Sequence, residues 1–153
     1  MPVAKQQFWF MVASDTAAAF RWEHILESQR SQFWWLRRLP KNFKSARVGD
    51  LILCYRSGSD KRALVGLAKV EEGFNEDGIM VKGLLAFKHP IPFERFKHEP
   101  VYKKTEAGRL RNRGTLFAVD SYFVNWVREV LEVCGDQEAA DMISSRFNND
   151  PVL

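Results

Sequence analysis

Five short apolar runs, each closed off by turn-forming residues, limit what this chain can fold into. They are 7–13 (QFWFMVA), 51–55 (LILCY), 63–70 (ALVGLAKV), 79–87 and 115–119 (TLFAV). Ser14-Asp15, Val48-Gly49-Asp50 and the Ser57-Gly58-Ser59-Asp60 turn punctuate them. Runs of five to nine residues have the length of strands, whereas an amphipathic helix shows a 3.6-residue period over a longer window. Gly66, inside the third run, marks a bulge or a close backbone approach.

Helix signals lie near both ends. Ser14, Asp15 or Thr16 can cap a helix running to about Gln29, in which Ala17, Phe20, Trp22, His24, Ile25 and Leu26 give a partly amphipathic pattern. Asp120 or Ser121 can cap a helix to Val133, with Phe123, Val124, Val127, Val130 and Leu131 on one face. Gly135 breaks it, and 137–147 forms one more. The stretch 31–46 reads as loop with short helical pieces, and Pro90, Pro92 and Pro100 mark irregular chain. Five to six short strands flanked by helices predict an α+β fold, a small mixed β-barrel. The expected organisation is one domain over 1–153, with a core at about 7–132 and a C-terminal helical extension over 136–153.

Twelve Phe, five Trp and three Tyr make up 13% of the chain, and the formal net charge is +4 with a pI near 9.2. The charge is uneven. From Asp120 onward there are seven acids and two bases, net −5, so the first 119 residues carry +9. No acid occurs over 31–49, which holds Arg37, Arg38, Lys41, Lys44 and Arg47. Arg95, Lys97, Lys103, Lys104, Arg109, Arg111 and Arg113 form a second basic stretch against Glu99 and Glu106. Two basic stretches beside aromatic residues favour a surface that faces phosphates.

Other classes are excluded. No apolar run approaches the ~20 residues of a membrane span, and the polar first residues do not read as a signal peptide. Two cysteines, Cys54 and Cys134, in apolar surroundings argue against a disulfide scaffold and for a reducing cytoplasm. With His24, His89 and His98 they form no metal-ligand spacing. No cofactor is implied, and no nucleophile–base constellation stands out for catalysis.

Order and spacing of the motifs carry a resemblance. Phe8-Trp9-Phe10, Arg47-Val48-Gly49-Asp50, Arg56-Ser57-Gly58 and Val65-Gly66-Leu67-Ala68-Lys69-Val70 follow one another, and Arg113-Gly114-Thr115-Leu116-Phe117 precedes the capped helix. Over roughly 7–132 this resembles the EVE domain family of the PUA-like superfamily. Phe33-Trp34-Trp35 followed by Phe43-Lys44-Ser45-Ala46-Arg47 is also similar to the related YTH readers of methylated adenine. Those readers place a second cage Trp after the glycine-bearing strand. Here no Trp occurs between Trp35 and Trp126, and Phe74 is the one ring in that loop.

The resemblance implies a PUA-like barrel that takes an extruded, modified base into an aromatic pocket. An unstacked base must regain a few kcal/mol from rings and edge hydrogen bonds. The residues it implicates at the base are Trp34, Trp35, Tyr55, Arg56, Ser57, Gly58, Trp9, Ser14 and Asp15. Adjacent residues of an extended segment face opposite ways, so at most one of Trp34 and Trp35 walls the pocket, and the resemblance favours Trp34, which follows Phe33 as the YTH cage Trp follows its apolar neighbour. Trp9 fits core or pocket floor, and Ser14 and Asp15 fit a helix cap as well as a base contact. Arg37, Arg38, Lys41 and Lys44, then Arg111 and Arg113, are the expected phosphate ligands.

The implied partner is DNA or RNA carrying a modified base, with no membrane. A fused or separate nuclease or NTPase subunit joins it where such modules serve modification-dependent restriction. The isolated domain is expected to be a monomer. A sister family, ASCH, contains small hydrolases of modified nucleosides, but its G-x-K-x-x-E-x-R motif is absent here. A third reading is a protein-interaction domain that uses the acidic last helix.

Overall fold

The computed structural model describes residues 7–14, 21–35, 40–58 and 61–148. Six strands, β1 (Phe8–Ser14), β2 (Ser31–Trp35), β3 (Leu51–Ser57), β4 (Ala63–Glu72), β5 (Gly78–Pro92) and β6 (Leu116–Val119), form one sheet in the order β2-β5-β4-β3-β1-β6. The β1–β3 pair is parallel and all others are antiparallel. Among the described residues seven helices flank the sheet: α1 (Trp22–Glu27), α2 (Pro40–Ser45), α3 (Phe93–Phe96), α4 (Pro100–Lys103), α5 (Glu106–Arg109), α6 (Ser121–Val133) and α7 (Gln137–Asn148). The result is the expected α+β architecture, a curled half-barrel of PUA-like form. Among the described residues no helix is long and apolar enough to cross a membrane.

Both faces of the central strands are buried, which is why they read as continuous apolar runs. Phe8 and Phe10 of β1 and Leu51, Leu53 and Tyr55 of β3 point to the face covered by α3 to α7. Trp9, Met11 and Ala13, with Ile52 and Cys54, point into the half-barrel, where α1 and α2 supply Trp22, Ile25, Leu26 and Phe43. The glycine expectation holds at Gly66. A Cβ there would collide with the Leu26 side chain and the Leu85 carbonyl, and the ladder shifts register beside it.

Both C-terminal helices form where expected. Asp120 caps α6, its Oδ1 accepting from the Phe123 N–H at 3.0 Å. The next helix, α7, buries Ala139, Ala140 and Ile143 and sets Phe147 against Phe8 at 5.4 Å between ring centroids.

The first helix spans Trp22–Glu27 with Arg21 at its N-cap, while Ser14, expected as a possible cap, ends β1. Two further stretches differ from expectation. Residues 31–35 are strand, not loop, because β2 pairs with the first residues of β5, from Gly78 to Lys82. That segment has no alternating pattern, so only its long-range partner reveals it. Pro90 and Pro92, expected in irregular chain, close β5 itself. Beyond Lys82 no strand pairs with β5 on its β2 side among the described residues, so a proline there breaks no ladder. Asp136, capping α7, grips the same stretch by accepting from the Lys88 N–H at 2.8 Å. Single-turn helices α3, α4 and α5 follow, with Pro100 starting α4, where a proline is pre-organised for the first turn.

Candidate nucleic-acid interface

Several candidates converge on one end of the sheet. Parallel pairing of β1 and β3 sets Ser14 beside Ser57, both half-buried, with Gly58 exposed after them in a left-handed conformation (φ 110°). Beyond the last β1–β6 ladder pair, the Val12 N–H donates to Thr115 O at 2.7 Å. The Arg113-Gly114 segment leading into β6 therefore reaches the same end as Ser14. Trp22 ties β2 to this region. Its indole N–H donates to the Tyr55 carbonyl at 3.0 Å, and its ring stacks on Trp34 at 5.3 Å with 30° between planes.

The two basic stretches meet at β6. Asn42 of α2 is buried, and its Nδ2 donates to Leu116 O at 2.8 Å and to Glu106 Oε1 at 2.6 Å. The same Glu106 oxygen accepts from the Ala118 N–H at 3.0 Å. One carboxylate on α5 and one amide on α2 thus clamp the outer edge of β6 and hold both helices there. Asn42 and Phe43 face inward while Lys41 and Lys44 are exposed. On the α5 side, Arg109, Arg111 and Arg113 are exposed and border a groove of about 350 Å³. None of these five cations forms an ion pair among the described residues.

The turn presenting the arginines is conformationally demanding. Arg111 and Asn112 both lie in the left-handed region, at φ 53° and 57°. Asn tolerates this conformation better than most residues. Asn112 is also pinned, its Oδ1 accepting from the Tyr102 hydroxyl at 2.6 Å.

The structure corrects several site expectations. Tyr55 does not wall a pocket with Trp34. Its side chain is buried in the opposite core, stacked on Phe10 at 5.1 Å, and burial raises its hydroxyl pKa despite a hydrogen bond with Asn112. Trp9 is also enclosed. It lies toward the other end of β1, where its indole N–H donates to Asp50 Oδ2 at 2.9 Å. Asp50 accepts from the Arg47 N–H too, Gly49 turns at φ 92°, and Arg146 of α7 donates to Gly49 O at 2.6 Å. The Gly-Asp turn is therefore a structural latch. Burial raises the Asp50 carboxyl pKa, with the Trp9 hydrogen bond the largest opposing effect.

The two tryptophans differ in exposure. Trp34 is 3% exposed, held in the half-barrel, whereas Trp35 is 53% exposed and meets the edge of Phe33 at 5.1 Å. Arg56 is committed to structure, with Nη1 3.0 Å from Glu23 of α1 and Nε donating to Lys61 O. Asp15, Arg37 and Arg38 lie outside the described residues. Burial also pushes the Cys54 thiol up, so it is no thiolate at neutral pH. Sequence reading missed Asn42, Glu106 and Asn112. The Asn-Arg-Gly run at 112–114 is a turn signal for the last of these, whereas nothing local marks the other two.

Residues 7–130 match the EVE domain. The chain belongs to the EVE domain family. Solved structures share the fold at low identity. A hypothetical protein from Leishmania major is 16% identical with a TM-score of 0.72, the match covering 84% of this chain and 96% of that one. A Pseudomonas putida protein is 12% identical at TM-score 0.69, with 81% and 99% covered. Human THYN1, solved in complex with DNA containing 5-methylcytosine, is 14% identical at TM-score 0.68, with 83% and 98% covered. No curated protein matches the sequence. The EVE match ends inside α6, so α7 and its Arg146 contact to the Gly-Asp turn lie beyond it.

Proposed function

We propose that this EVE domain binds nucleic acid and captures a modified base at the sheet end where Ser14, Ser57 and Gly58 meet the basic flank of β6. The observation that carries this reading is the Asn42–Glu106 clamp, which gathers Lys41, Lys44, Arg111 and Arg113 around one edge strand with their charges unpaired among the described residues. Likeness of fold to a protein solved with methylated DNA supports it.

In this reading Trp35 offers the exposed ring face for stacking, worth roughly 1–3 kcal/mol per base. The Ser14 and Ser57 hydroxyls address the base edge, with Asp15 next in sequence, and Gly58 permits close approach of the backbone. Trp34 and Trp22 back the site from inside. The lysines and arginines, Arg37 and Arg38 among them, hold flanking phosphates. They supply affinity and salt dependence without sequence information. The domain acts as a reader with no reaction of its own.

The test is a binding panel of DNA and RNA oligonucleotides with and without 5-methylcytosine or N6-methyladenine, each at two salt concentrations. One modified oligonucleotide should bind tightest, and all binding should weaken as salt rises. Equal affinity across the panel would remove base capture from the proposal and leave only backbone binding.

A further inference from the structure

Arg109 belongs to two grooves. With Arg111 and Arg113 it lines the one near the base-facing end. With Lys104 it lines a larger groove of about 540 Å³ at the opposite end of β6, floored by Gln7, Phe8 and Val119. Two acids also border the larger groove, Glu106 and Asp120. One oxygen of each is held by neutral N–H donors, Glu106 Oε1 by Asn42 and Ala118 and Asp120 Oδ1 by the α6 cap, which fixes both carboxylates toward β6 and α6. Lys104 and Arg109 are exposed and form no ion pair among the described residues.

A row of unpaired cations thus follows β6 from Arg113 through Arg111 and Arg109 to Lys104. The four residues of this strand span roughly 13 Å at ~3.3 Å each. About four nucleotides of one duplex strand rise by the same distance, at ~3.4 Å per nucleotide.

We infer that this row is a track for the phosphodiester backbone flanking the captured base, leading from the Ser14–Ser57 end of the sheet to the Phe8–Val119 end. It adds Lys104 and Arg109 to the binding surface and gives the partner a direction across the domain. It depends on the nucleic-acid reading above. The ligand class is a polynucleotide, since a lone nucleotide would reach only one end.

The experiment compares the full chain with the double variant K104A/R109A. Two modified oligonucleotides are used, one of about three nucleotides and one of about twelve base pairs, in fluorescence anisotropy across a salt series. For the long duplex the variant should bind about tenfold more weakly near physiological salt. Its log–log salt slope should be shallower by about 1.8, at ~0.9 per lost phosphate contact. The preference for modified over unmodified duplex should not change, and the short oligonucleotide, which meets Arg109 but not Lys104, should lose less affinity than the long duplex. Both positions are exposed, so thermal unfolding should match the parent. Parent-like affinity and slope on the long duplex would overturn the track while leaving base capture standing. A parent that binds no oligonucleotide would overturn both.

Discussion

On the face covered by α3 to α7, Phe10 lies 5.1 Å from Tyr55, 6.3 Å from Phe117 and 6.4 Å from Phe123, and Phe96 adds contacts to Tyr55, Tyr102, Phe123 and Trp126. Inside the half-barrel the large rings are Trp9, Trp22, Trp34 and Phe43, and two of the indoles are fixed by named acceptors, Asp50 Oδ2 and Tyr55 O. The first face is a continuous cluster of Phe and Tyr, in which each ring is held by other rings. The second uses Trp as pegs, each with a bulky apolar body and one directional N–H. A ring cluster gives stability. Pegs fix the positions of strand ends, and the candidate base site sits on strand ends.

Removing a ring from the cluster should have the largest effect. Phe10→Ala, at a fully buried position, should cost about 3–5 kcal/mol in chemical denaturation. A loss under about 1 kcal/mol would show that the cluster collapses into the gap and is not tightly interlocked. Trp22→Phe keeps an aromatic body but orphans the Tyr55 carbonyl, so a cost of about 1–3 kcal/mol is expected. Base-modification preference should fall along with stability, because the end of β2 loses its tie to β3. Equal preference in this variant would break the distinction between pegs and filler.

Asp50 tests the peg at the other end. Burial, the leading cause, holds its carboxyl above the ordinary value of 3.8. The folded state therefore binds this proton more tightly than the unfolded chain does. The resulting stability is fully present below 3.8 and is lost as pH rises through the higher folded value. Asp50→Asn keeps an oxygen for Trp9 and Arg47 and removes the titration. Urea titrations of variant and parent across the acid range should diverge in that window, with the parent losing stability relative to the variant as pH rises. Parallel curves would mean that the carboxyl is not shifted. Trp35→Ala should have the smallest effect on folding, within about 0.5 kcal/mol. It should still weaken binding of the modified oligonucleotide by about 1–3 kcal/mol, and unchanged binding would exclude this ring from the base site.

Much of the fold was legible because burial on both faces leaves unbroken apolar runs, as at residues 8–13 and 51–55, and because Asp120 and Gly135 bracket α6 in ordinary capping terms. β2 escaped because its status depends on Gly78–Lys82, more than forty residues away. The site was half legible. The basic stretches could be read from composition, but their meeting could not, because it rests on one part-buried amide–carboxylate contact between Asn42 and Glu106, 64 residues apart. Trp34 and Trp35 show the same limit. Alternation says that they face opposite ways, and only the stack on Trp22 decides which one faces inward.

The strand order also has a consequence for how the chain is made. β1 is the first strand in sequence, yet its two neighbours are β3 and β6, with registers Phe8↔Leu51 and Phe8↔Val119. During synthesis its first partner arrives some forty residues later and its second only after residue 119. Until then an apolar, ring-bearing strand has an open edge, the kind of surface that pairs with other chains. The β1 edge is covered only when β6 docks, so arrival of β6, and not growth of the central hairpin, ends the period in which a nascent copy can pair with its neighbour through β1.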